Sequence, residues 1–290
     1  MIDFNFGNAF AHFARTGAPR GFVWRYALAY MAVQVAFIVL LVVLLGVSAS
    51  NGSPGAFESG DPFAVSEAMG EAIVGALLVI VLLSLLVTAV FDAAAQRRYI
   101  RGDRFRLRLG GDEWRVFVVL LVWVGFYLAA VAVFSTAGLL FLGESGGFVS
   151  ALSLFGLLLY AYLAARFSPA AALTVRDRRI RFLAAWRTTR GRRGWIVLAA
   201  YLVWALLAVV AYFVIVLFLA GVIGGAAGGP AADPGAGTLL SGGVTGLLAV
   251  VFTLLLLAAS GAFFYIWAGP AALAARADGE AGERNADVFD

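Results

Sequence analysis

Cysteine is absent from this 290-residue chain. That excludes disulfides, thiolate zinc sites, iron–sulfur clusters and cysteine nucleophiles. Lysine is also absent, so all 21 basic residues are arginine. A P-loop is excluded with it, because the motif needs its lysine on the phosphates. A single histidine, His12, leaves no H-E-x-x-H helix and no His pair for a metal. Charge is scarce: 13% of the residues are charged. Soluble domains carry about a quarter.

Apolar residues dominate. They make up 63% of the chain, with a mean hydropathy of +0.95. A core of this size cannot bury that much apolar surface, so the chain reads as a membrane protein. A membrane-crossing helix needs about 20 apolar residues. Six stretches meet or approach this: Tyr26–Val47, Ala72–Phe91, Val116–Leu142, Phe148–Ala165, Trp195–Ile223 and Val244–Ala268. None contains proline, which predicts continuous helices. The runs are too long for strands and do not alternate. The expected fold is all-α and polytopic: six transmembrane helices as three hairpins, with interfacial amphipathic helices. Residues 1–25 form an N-terminal segment, 26–268 the six-span domain and 269–290 a polar tail, expected to be disordered from Asp278.

Arginine fixes the expected orientation. The two ends and two of the five connections hold all 21 arginines, while the other three connections hold none and six acids. Basic segments stay cytoplasmic, so both termini are expected there. No basic n-region precedes the first apolar run, so no signal peptide is expected. The arginine-, alanine- and glycine-rich composition suggests a bacterial inner membrane.

Similar punctuation recurs along the chain. Trp24, Trp114 and Trp195 open the odd-numbered spans, each beside arginine or glycine. Span four is followed by Ser168-Pro169-Ala170-Ala171-Ala172-Leu173, and span six by Gly269-Pro270-Ala271-Ala272-Leu273. A triplicated two-helix unit would produce this pattern. So would the ordinary placement of tryptophan and arginine at membrane interfaces.

Residues 169–193 read as an interfacial helix. Leu173, Ile180, Leu183, Ala184 and Trp186 fall near one side and the arginines on the other. Arg176, Arg178, Arg179, Arg187 and Arg190 are candidate contacts for anionic lipid headgroups. Phe6, Phe10 and Phe13 form a weaker version at the N-terminus. Asp61-Pro62 suits a helix start, so the second helix is expected to begin before Ala72.

No catalytic, cofactor or metal site is expected. Gly143-Glu144-Ser145-Gly146-Gly147 matches G-x-S-x-G, but a serine hydrolase needs a strand-to-helix turn and a nearby histidine. His12 is predicted to lie on the opposite side of the membrane, at the headgroup boundary. G-x-x-x-G spacing occurs at Gly221/Gly225 and Gly242/Gly246, where it would allow close helix approach. Glu67 and Glu71 share a helix face, read as solvated. Asp92 is the one charge within a span-like helix. Such an acid is a functional candidate by default, costing about 2.5–3.5 kcal/mol at the bilayer centre. Its proximity to Arg97 favours a boundary acid paired with Arg97 or Arg166. Gln34 is the other candidate intramembrane polar residue, suited to an interhelical hydrogen bond.

The stretch from Arg166-Phe167-Ser168-Pro169 through Ala185-Trp186-Arg187-Thr188-Thr189-Arg190-Gly191 to Trp195 resembles the membrane domain found beside glycerophosphodiester phosphodiesterases, and in stand-alone bacterial membrane proteins. Thr189, Arg190 and Gly191 match that pattern. Thr188 stands where leucine is common, and Trp195 comes one residue late. The likeness is close over about 30 residues, and the six-span layout extends it loosely. That family's enzyme activity belongs to a separate soluble domain, so the resemblance implies a non-catalytic membrane domain. The chain is therefore expected to be a non-enzymatic, lipid-associated or scaffolding membrane protein. Its expected partners are membrane lipids, not nucleic acid. The alternative is a transporter or channel for a small or lipophilic solute.

Overall fold

A computed structural model describes residues 4–15, 21–51, 62–140, 146–227 and 238–287, with side chains over most of these. The described residues are all-helical, without strands, and six helices are long and apolar enough to cross a membrane. The elements are α1 (Phe6–Phe10), α2 (His12–Arg15), α3 (Phe22–Asn51), α4 (Pro62–Arg101), α5 (Gly111–Leu140), α6 (Gly146–Phe167), α7 (Ala170–Asp177), α8 (Ala184–Thr188), α9 (Arg192–Ala227), α10 (Thr238–Trp267) and α11 (Gly269–Asp287).

Local chemistry sets several boundaries. Pro62 opens α4, where a missing N–H costs nothing. Before α5, Glu113 Oε2 accepts the Gly110 N–H at 3.0 Å, while Asp112 and Glu113 face the positive end of the helix. α7 ends where Arg178 turns left-handed (φ 53°). Gly191 takes φ 66° just before α9, a conformation that glycine adopts freely.

The six long helices form a closed ring in chain order. Each touches its sequence neighbours, and α10 closes the circle by packing along α3. Neighbours run antiparallel. Tyr26, near the start of α3, bonds the Phe91 carbonyl late in α4 (3.0 Å) and sits 5.5 Å from the Tyr265 ring at the end of α10. Tyr162, late in α6, lies 5.8 Å from Trp195, early in α9. Every described arginine therefore gathers at one end of the ring. Trp24, Trp114 and Trp195 hold matching places there, one at the start of each odd-numbered long helix, and all are exposed (69%, 54% and 60%). Two residues on from each, Tyr26, Val116 and Val197 are buried.

Three alanine-rich segments meet at the arginine end: Ala93–Ala95 of α4, α7, and Ala271–Ala275 of α11. Alanine side chains let these backbones approach closely. Residues 169–193, expected to be one interfacial helix, are not one helix. The segment is two short helices joined by a turn, and α7 is buried within the protein. Leu173 is 1% exposed and packs with Val116, Val119 and Ala275. Of the expected apolar face, Ile180, Leu183 and Trp186 are exposed and Ala184 is half-buried. A helix buried by its own chain has no apolar face left for lipid. The expected disordered tail is also corrected, since α11 continues to Asp287 and its first turns are core. As expected, α4 begins well before Ala72.

Candidate functional site

A partly open cavity of about 390 Å³ is bounded by α4, α5, α6, α9, α10 and the start of α11. Most of its wall is apolar: Leu120, Trp123, Ala164, Leu198, Phe264 and Trp267 among others. Polar groups collect towards the arginine end, where Asp92 and Gln96 of α4 meet Ser168 and Tyr201. Thr88 lies one turn before Asp92 on the same face. Gln96 Nε2 donates to Asp92 Oδ1 at 3.0 Å. Gln96 is 2% exposed, and its Oε1 has no partner. Tyr201 bonds the Ser168 hydroxyl and lies within electrostatic reach of Asp92. Ser168 in turn donates to the Ala165 carbonyl at 2.9 Å.

The expected pairing of Asp92 with Arg97 or Arg166 does not occur. Arg97 turns away from the cavity and forms a buried ion pair with Glu113. Arg166 donates to the Thr189 carbonyl and to Tyr162 Oη (2.8 Å), with its guanidinium over the rings of Tyr162 and Trp186. Both arginines satisfy neighbouring elements at the end of the ring. Asp92 is left with an amide partner and an aromatic chamber. Gln34 is not part of this chamber; it bonds Tyr30, one turn earlier on α3.

A second hollow, about 260 Å³ and almost wholly apolar, lies between α5 and α6. It shares Trp123 and Tyr160 with the central cavity. Those two rings form the common wall.

The arginines predicted to meet headgroups divide into two kinds. Arg176 is fixed, bonding Asp177 (2.7 Å), the Ala275 carbonyl (2.5 Å) and Asp278 (3.4 Å). Arg178, Arg179, Arg187 and Arg190 are exposed, beside the exposed apolar side chains of Ile180, Leu183 and Trp186.

His12 is buried within the protein. It stacks on Tyr99 at 5.3 Å, below Gly269, and its ring nitrogens have no partner. Burial, with repulsion from Arg276 added, pushes its imidazole down to about 4. Phe10 and Phe13 flank Trp204 of α9, whose indole N–H donates to the Phe10 carbonyl at 3.3 Å. Aromatic packing thus holds the N-terminal segment on the protein.

Among the described residues, no group of three His, Cys, Asp or Glu side chains could hold a metal ion. Ser145 lies outside the described residues. The side chains of Glu67 and Glu71, and the surroundings of Gly221/Gly225 and Gly242/Gly246, are not described either. No family model matches the chain, and neither does any curated protein or solved structure.

Sequence reading singled out Asp92 but missed the cavity and its other polar residues, Gln96, Ser168 and Tyr201. One signal was legible. Phe91-Asp92-Ala93-Ala94-Ala95 parallels Phe167-Ser168-Pro169-Ala170-Ala171, which places Asp92 and Ser168 at equivalent points where a long helix enters the alanine-rich junction.

Proposed function

We propose that this protein is a non-enzymatic, multi-pass protein of a bacterial inner membrane that holds a lipophilic molecule in its central cavity. The cavity among the long helices carries the reading. Its volume falls in the range of small-molecule sites, about 300–1,000 Å³, and it combines apolar walls with a few convergent polar groups, as such sites do. The arginine end faces the cytoplasm with both termini, by the positive-inside rule. There the exposed Arg178, Arg179, Arg187 and Arg190 meet anionic headgroups, with Leu183 and Trp186 dipping into the interface. The resemblance of residues 166–195 to the phosphodiesterase-associated membrane domain agrees with a non-catalytic role. A binding role is favoured over a conducting one because the cavity's polar groups are few and collected at one end of an otherwise apolar wall.

Native mass spectrometry after purification in mild detergent tests this. The expected result is a lipophilic molecule retained by the wild type and lost from Ala161→Phe, which fills the chamber. No retained molecule, or equal retention by the filled variant, would overturn the proposal.

A further inference from the structure

The chemistry at the polar end of the cavity specifies the head of its occupant. Asp92 contributes a carboxylate, which only accepts hydrogen bonds when ionised. Gln96 Oε1 is a second acceptor, buried and without a partner. One of the two Gln96 amide hydrogens is already committed to Asp92. No basic side chain lies within ion-pair distance of Asp92 among the described residues. A buried acceptor without a donor, beside a carboxylate without a cation, is costly unless something supplies both.

The surrounding walls point the same way. Trp123, Tyr160, Tyr201, Phe264 and Trp267 line the chamber. The faces of such rings attract cations. An anionic head would instead meet carboxylate repulsion and find no arginine. The side hollow between α5 and α6 begins at Trp123 and Tyr160, and it is almost wholly apolar. A chain leaving the polar end along Trp123 and Tyr160, which line both hollows, would remain in largely apolar surroundings.

We propose that the cavity takes a single-chain lipophile with a protonated amine head, which donates to Asp92 and Gln96 while its tail runs past Trp123 and Tyr160 into the hollow between α5 and α6. This deepens the binding role proposed above and rests on it.

The test uses the full chain in mild detergent, with dodecylamine and dodecanoate as probes and thermal unfolding as the readout. Dodecylamine is expected to raise the unfolding temperature of the wild type, and dodecanoate to leave it unchanged. Asp92→Asn is expected to fold and to bind the amine at least about tenfold more weakly, since a hydrogen bond to a charged group is lost. Ala130→Phe, which fills the side hollow away from Asp92, is expected to weaken dodecylamine more than the shorter hexylamine. Equal stabilisation by the carboxylate, or an amine effect unchanged in Asp92→Asn, would overturn the proposal. Should Asp92→Asn fail to fold, Gln96→Leu serves in its place, with the same weakening expected and an unchanged amine effect overturning the proposal. If a lipophilic molecule co-purifies and Ala161→Phe removes it, but neither probe binds, the head-group assignment alone fails. If nothing co-purifies and neither probe binds, the binding role fails with it.

Discussion

Arg166 and Thr189 bind each other in both directions. The guanidinium donates to the Thr189 carbonyl, and the Thr189 hydroxyl donates to the Arg166 carbonyl at 2.9 Å. The end of α6 is thereby tied to the turn before α9, with Arg166 resting on the Tyr162 and Trp186 rings. Thr189 is fully buried, so a lost hydroxyl is not replaced by water. Thr189→Val is expected to cost about 1–3 kcal/mol, and Thr189→Ser to restore most of it. Gly194 completes the same knot: a Cβ there would stand 2.5 Å from the Thr189 carbonyl oxygen, a backbone atom. Gly194→Ala is thus expected to destabilise at least as much as Thr189→Val. Thermal unfolding in detergent, followed by size-exclusion chromatography, reads all three.

Closure of the ring depends on a close approach of α3 and α10. A Cβ on Gly261 would lie 2.8 Å from Tyr30 Cβ and 3.1 Å from Ala27 Cα. Neither atom can move without its helix. Gly261→Val is expected to destabilise by about 1–3 kcal/mol through overpacking. Gly125 on α5 provides the contrast, because its Cβ would meet nothing within 4 Å. Gly125→Ala is expected to show no loss. Equal behaviour of the two variants in thermal unfolding would contradict the tight crossing.

The spans and the gathering of arginine at one end were legible because each rests on a local signal, apolar length or charge. The lining of the cavity was not. A helix in a bilayer can be apolar towards lipid and towards protein alike, so periodicity does not show which face turns inward. Leu173 illustrates the difficulty. Its spacing with Ile180, Leu183 and Trp186 suits an interfacial helix, yet Leu173 is core and Leu183 is 76% exposed. The turn at Arg178 breaks the register between them. The partners of Asp92 were misread for a related reason. Arg97 is the nearest arginine in sequence, but five residues along a helix is not the same face. Glu113, on the next helix, takes Arg97 instead.

That ion pair supports a prediction of its own. Arg97 and Glu113 are both almost fully buried, and Arg97 also donates to the Arg106 carbonyl at 3.1 Å. Removing Glu113 leaves Arg97 buried without a carboxylate, and removing Arg97 leaves Glu113 with only the exposed Arg108, at 3.8 Å, as a cation. Arg97→Met and Glu113→Leu are each expected to cost about 3–5 kcal/mol. The double variant is expected to be less damaged than the two single losses added together, because it strands neither charge. Chemical or thermal unfolding of the four proteins closes the cycle.

The exposed arginines give a different kind of test. Arg178, Arg179, Arg187 and Arg190 project beside Leu183 and Trp186, while Arg176 is held in ion pairs. Replacing the four exposed residues with glutamine is expected to lower retention of anionic lipid, at about 1 kcal/mol per charge, without altering thermal stability. Arg176→Gln is expected to do the reverse, lowering stability and sparing lipid retention. Lipid quantitation by mass spectrometry beside an unfolding curve separates the two effects. Unchanged lipid in the fourfold variant would remove the headgroup role.

His12 predicts a pH dependence whose sign follows from burial. Tyr99 stacks against the ring, and Arg276 of α11 disfavours a positive charge there. The folded imidazole titrates near 4, against an ordinary value of 6.5. Above 6.5 both folded and unfolded chains hold it neutral, and it contributes no slope. Between 6.5 and 4 the unfolded chain takes up a proton that the folded chain does not. Acidification through this window therefore favours unfolding, by at most about 3 kcal/mol. His12→Phe keeps an aromatic ring against Tyr99 and removes the titrating group. Its unfolding temperature is expected to fall less than that of the wild type between pH 7 and pH 4.5, while the two proteins lie closer together at pH 7.5. Parallel curves for the two proteins across that range would show that His12 is not the acid-sensitive group.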